Sequence, residues 1–184
     1  MERVLEKKNI NLRKLTAAIF CIVVWTAGTI KTAGFLNMSK IAVAIEVLLS
    51  VQLLAALWDI NDMTIPLKIT IPAIFVGLAI MMLTGQILKG ITASIVAFIL
   101  MKLLIIISRN QVGGGDIAIM TVTGLYTGIS TLISILFTAV TLAGIFSVIF
   151  ILCGKAHKKT EIPFAPFILS ATVMLILIGY IKYI

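Results

Sequence analysis

Two aspartates stand at the ends of apolar segments. Asp59 lies in Leu57-Trp58-Asp59-Ile60-Asn61-Asp62-Met63-Thr64-Ile65-Pro66, and Asp116 closes Gly113-Gly114-Gly115-Asp116. A carboxylate at membrane depth is costly, marks a functional site by default and needs a partner. Here the obvious partner for each aspartate is the other. Two carboxylates brought together in a partly dry site cannot both ionise easily, so they share a proton and divide acid and base roles. That is the chemistry of an aspartyl protease.

Each aspartate also has a purely structural reading. Glycines 113 to 115 lack Cβ atoms, so they permit unusual backbone angles and close approach of another chain segment. An aspartate at a helix start is favoured by the helix dipole and by unpaired amides, so Asp116 also reads as a helix cap. Asp59 reads equally as an interfacial carboxylate marking a helix end. Pro66 suits the first turn of the following helix, and Asp62 is expected in a solvated loop.

The elements that carry these residues are membrane segments. The 184-residue chain is 61% hydrophobic and 12% charged, with mean hydropathy +1.20, far from the composition of a soluble domain. With roughly 20 residues per bilayer crossing, it has room for about six or seven helices. The expected fold is an all-α polytopic helix bundle. Apolar segments fall at about 13–35, 41–58, 66–84, 88–107, 116–129, 132–153 and 164–182. The whole chain reads as one integral membrane domain, with a basic N-terminus at 1–14, a first helix at 15–36 and a core at 41–184. The start resembles a secretory signal, but no small-residue cleavage site follows, so an uncleaved helix is expected.

The net charge of +8 does not point to nucleic acid, because the basic residues lie between apolar runs, where they set orientation. The partners expected are membrane lipids. Cys21 and Cys153 read as small buried hydrophobes. His157 is the sole histidine, so no histidine-built metal site is expected, and no cofactor is implied.

The uncertain break is Gly128-Ile129-Ser130-Thr131, where glycine after one helix and Ser or Thr before the next make a turn. With that break, eleven Lys and Arg fall on one side (3, 7, 8, 13, 14, 68, 102, 109, 155, 158 and 159) and four on the other (31, 40, 89 and 182). The richer side is cytoplasmic, which puts the N-terminus inside, the C-terminus outside, and both aspartates at the cytoplasmic ends of their helices. The segment after Asp116 is short, about 14 residues or about 21 Å, and is best accommodated inside a bundle beside a water-containing cavity.

Taken in order, Asp59 seven residues before Pro66, then Gly113-x-Gly115-Asp116, then Ile162-Pro163-Phe164-Ala165-Pro166-Phe167 resembles the prepilin peptidases. These GxGD-type membrane aspartyl proteases remove short leaders from type IV pilin-like and archaeal flagellin-like precursors. The resemblance runs from about Ile41 to the C-terminus. It implies a six-helix protease core behind one additional N-terminal helix, in the plasma or inner membrane. It implies Asp59 and Asp116 as the catalytic pair. Gly113, Gly114, Gly115, Pro66, Pro163, Phe164 and Pro166 would be the motif residues near the substrate. The substrate would be a pilin-like precursor with a short basic leader ending in glycine, followed by an apolar helix. The chain departs from the family at Asn61, Asp62 and Leu67, and at Ala118, where a lysine is common. It also lacks the zinc-bearing insert of larger members, so N-methylation of the product is not expected.

Two other readings fit the same acids: a small transporter that binds a cation or relays protons, and an idle assembly protein of the same fold. The transporter reading lacks an inverted repeat or a polar track through the membrane centre. A presenilin-type protease matches the Ile-Pro and Pro-Phe-Ala-Pro elements less well. Glu46 is expected to pair with Lys31 or Lys40 or to snorkel outward, and Gln52 to bond between helices.

Overall fold

A computed structural model of the chain describes residues 2–35, 40–107, 113–153 and 162–182. Among these residues six helices follow one another: α1 Glu2–Phe35, α2 Lys40–Asp62, α3 Leu67–Leu83, α4 Ile87–Ile107, α5 Gly114–Leu152 and α6 Ala165–Leu177, with a short 3-10 turn at Tyr180–Lys182. There is no strand among the described residues. Among the described residues, four helical stretches are long and apolar enough to cross a membrane: Lys14–Thr32, Ala42–Asp62, Ile87–Ile107 and Gly114–Leu152. α3 and α6 are shorter apolar helices. Large apolar side chains such as Phe75, Leu88, Phe137 and Leu152 lie on the outside, as lipid-facing residues do. The protein is a multi-pass helical membrane bundle.

Helix boundaries differ from the sequence expectation at four places. α1 begins at Glu2 rather than at about 13–15, so the basic N-terminal stretch is an extension of the first helix. α2 runs on to Asp62, so Asp59 sits within the last turn and Asp62 ends the helix instead of lying in the loop. Pro66 is the N-cap of α3, in extended conformation, rather than a residue of its first turn. α6 stops at Leu177 and gives way to the 3-10 turn.

The two segments expected at 116–129 and 132–153 form one element, α5, broken at Gly128 rather than separated by a loop. Gly128 has φ 73° and ψ 171°, a region open essentially to glycine alone. An unbroken helix of 39 residues would be about 58 Å long, about twice the hydrocarbon core. The break folds the chain back. Beyond it, Ser134 Oγ donates to Tyr180 Oη at 3.0 Å, while Phe146 packs on Phe167 with ring centres 5.5 Å apart. The second arm of α5 thus runs antiparallel to α6 and returns towards the end where α6 and the first arm both begin.

Close packing relies on small residues, as expected where lipid and protein are equally apolar. A Cβ on Gly124 would lie 2.8 Å from the Ala93 carbonyl oxygen, and Ser94 Oγ donates to the Thr121 carbonyl at 3.1 Å, so α4 and the first arm of α5 lie nearly backbone to backbone. α1 and α2 are antiparallel: Lys14 Nζ donates to the Asn61 carbonyl at 2.7 Å at one end, and Thr32 donates to Glu46 at the other. Glu46 is thereby held by a threonine hydroxyl, which the sequence did not suggest. Cys21 is buried as expected, but Cys153 is exposed, because it caps the end of α5, beyond the packed part of the helix.

Candidate active site

Asp59 is buried, 6% exposed, in the last turn of α2. Its carboxylate Oδ2 accepts the Ala165 N–H at 3.0 Å, with the Phe164 N–H close beside it. Ala165 is the first residue of α6, where amides have no intrahelical acceptor. The sequence explains why these two donors are on offer. Pro163 and Pro166 on either side have no N–H, so the Pro-Phe-Ala-Pro run presents two adjacent amides between two silent positions. Asp59 caps α6 from a different helix, 106 residues away.

Asp116 is also buried, 9% exposed, and stands at the third position of α5, after the N-cap Gly113. Its Oδ2 accepts the Gly113 N–H at 3.2 Å, while its own N–H donates to the Gly113 carbonyl at 3.1 Å. The helix-cap reading is therefore realised. It does not exclude the other, because Asp116 also lies within electrostatic reach of Asp59. Both acids stand at one end of the bundle, where α2 finishes and where α5 and α6 start.

The glycines before Asp116 play unequal parts. None of the three has a positive φ, so unusual backbone angles are not what they provide. Gly115 provides close approach: a Cβ there would lie 2.8 Å from Ile65 Cβ and 3.0 Å from the Ile65 nitrogen. The Ile65-Pro66 strap after Asp59 is thus pressed against the residue before Asp116. Gly113 is exposed, and a Cβ on it would meet only Asp116 Oδ2, at 3.6 Å; Gly114 faces open space. Pro66, Pro163, Phe164 and Pro166 all fall in segments that touch the two aspartate-bearing turns.

Lys14 is the neighbour that sequence reasoning missed. Its position before an apolar run marks it only as an orientation charge, yet its ammonium is hydrogen-bonded to the carbonyl of Asn61, two residues from Asp59. A cation at the negative end of a helix dipole is favourable, and this one brings positive charge to a turn whose own side chains, Asp59 and Asp62, are acidic. Among the described residues no cluster of His, Cys, Asp and Glu could hold a metal ion; His157 lies outside them.

Comparison with known proteins bears on this geometry. Residues 46–149 match the model of the type IV leader peptidase family. The chain belongs to that family. Asp59, Pro66 and the Gly113 to Asp116 run fall inside the match, whereas Pro163, Phe164 and Pro166 lie beyond it. The type IV leader peptidase match agrees with the resemblance to prepilin peptidases drawn from the motifs. Among curated proteins, the chain is similar to the Prepilin leader peptidase/N-methyltransferase of Bacillus subtilis (strain 168), at 28% identity over 136 residues, 72% of this chain and 54% of that protein. The chain spans about half the length of that relative. No solved structure matches it.

Proposed function

We propose that the protein is a membrane aspartyl endopeptidase that cleaves the short basic leader from a pilin-like precursor, with Asp59 and Asp116 as its acid–base pair. The observation that carries this reading is the placing of two buried carboxylates from distant segments at one end of the bundle, within electrostatic range of each other and each held by a backbone N–H. Membership of the type IV leader peptidase family supports the same reading. The Lys and Arg asymmetry favours the cytoplasmic face for this end.

With one proton shared by the pair, the ionised aspartate takes a proton from water as the hydroxyl adds to the scissile carbonyl carbon. The protonated aspartate gives its proton to the carbonyl oxygen. The carbon–nitrogen bond then breaks as the leaving nitrogen takes the proton held by the first aspartate, and the second recovers its own from the new carboxyl group. The pair ends with one proton, as it began, and the roles belong to the pair rather than to either residue. The backbone donors fix the carboxylates in place, so little reorganisation accompanies the reaction.

Co-expression with a pilin-like precursor tests the assignment. A shift to the shorter product is expected with the wild-type chain and is absent with Asp59→Ala or Asp116→Ala. Cleavage that survives both substitutions would overturn it.

A further inference from the structure

At the end of the bundle away from the aspartates, a cavity of about 350 Å³ opens beside the Gly128 break, lined by Gln86, Lys89 and Thr92 on one side and by Gly128, Ser130 and Thr131 on the other. Thr131 is 8% exposed, and its hydroxyl has no hydrogen-bond partner among the described residues. The other buried threonines all satisfy theirs: Thr32, Thr70, Thr123, Thr127 and Thr172 each donate to a carbonyl three or four residues back. Thr131 does not, because the carbonyls it would use belong to Thr127 and Gly128, which the break turns out of helical position. With no carbonyl to bond, the hydroxyl of this largely buried side chain is free to donate to a group in the cavity that it lines.

The chemistry of that acceptor follows from charge. Lys89 lines the cavity and makes no ion pair with any described residue. Of the acids whose side chains are described, Asp59, Asp62 and Asp116 stand at the far end of the bundle, and Glu46 is engaged by Thr32. The second arm of α5 also begins here, and the first amides of a helix lack intrahelical acceptors and attract anions. We propose that this cavity binds a phosphate-type anion, with Lys89 as its counter-charge and the Thr131 hydroxyl as a hydrogen-bond donor. At a membrane boundary that phosphate is carried by an anionic lipid headgroup or is free in solution. The site stands apart from the aspartate pair and does not depend on their role.

The test uses the full-length protein in neutral detergent, with binding read by native mass spectrometry against phosphatidylglycerol, phosphatidylcholine and inorganic phosphate. Lys89→Gln and Thr131→Val are each expected to weaken anion binding roughly tenfold, the scale of a hydrogen bond to a charged group. Thr131→Ser restores it, and Lys68→Gln, on α3 at the aspartate end, leaves it unchanged. Preference for phosphatidylglycerol with no uptake of inorganic phosphate identifies a headgroup site; uptake of inorganic phosphate alone identifies a soluble ligand. Equal affinity in wild type, Lys89→Gln and Thr131→Val overturns the proposal, as does the absence of binding by either anion.

Discussion

Gln52 Nε2 donates to Thr123 Oγ1 at 3.0 Å, deep in the bundle, joining α2 to the first arm of α5. Asp59 lies seven residues after Gln52, and Asp116 lies seven residues before Thr123. Seven residues are close to two helical turns, about 10.5 Å along the axis and on nearly the same face. In two antiparallel helices, the hydrogen bond therefore sets the register that brings the two carboxylates to one level. Gln52 Oε1 is buried without a partner among the described residues, so this amide is retained at a cost in stability.

Replacing Gln52 with Leu is expected to slow cleavage by about three- to tenfold, the scale of one such bond. The double variant Gln52→Leu with Thr123→Val removes both partners, which is nearly neutral for stability. Its thermal midpoint recovers while its cleavage rate stays low. Recovery of both together would show that the bond serves folding alone.

Asp59 has a structural duty as well as a proposed chemical one, so its substitutions should separate the two. Asp59→Asn keeps an acceptor for the Ala165 N–H and is expected to lose activity with little loss of stability. Asp59→Ala strands that amide and costs about 1–3 kcal/mol more, read as a lower denaturation midpoint in detergent.

Neighbouring glycines should behave oppositely. Gly115→Ala places a Cβ 2.8 Å from Ile65 Cβ, forcing apart the segments that carry the two acids, with an expected cost of about 1–3 kcal/mol and loss of most of the cleavage rate. Gly114→Ala meets nothing within 4 Å and should be tolerated. Comparing the two cleavage rates checks the point.

Gly128→Ala also meets open space, yet the backbone angles there exclude a side chain. A loss of about 1–3 kcal/mol is expected from strain alone, seen as a lower thermal midpoint. An unchanged midpoint would place the fold-back of α5 elsewhere.

The helical membrane fold was legible from the apolar segments, and the two acids from their position at segment ends. The sequence also singled out Gly128 as the doubtful break, because glycine followed by Ser and Thr is turn chemistry. What it could not show were contacts between distant residues. Nothing local marks Lys14 as a neighbour of Asn61, since a basic residue before an apolar run is expected on orientation grounds alone. The Asp59 bond to Ala165 spans 106 residues, and only the absent donors of Pro163 and Pro166 hint at it. Of the two roles that the sequence offers for the glycine run, close approach holds at Gly115, whose missing Cβ leaves space for Ile65, and unusual backbone angles do not.

The most direct measurement is the initial rate of precursor cleavage by the purified full-length protein and its Asp59→Asn, Asp116→Asn and doubly substituted forms. If the carboxylates act as one unit, each single substitution abolishes turnover and the double variant is no worse than either, because groups that act together are not additive. A single variant that retains a substantial fraction of the wild-type rate would contradict the two-aspartate account.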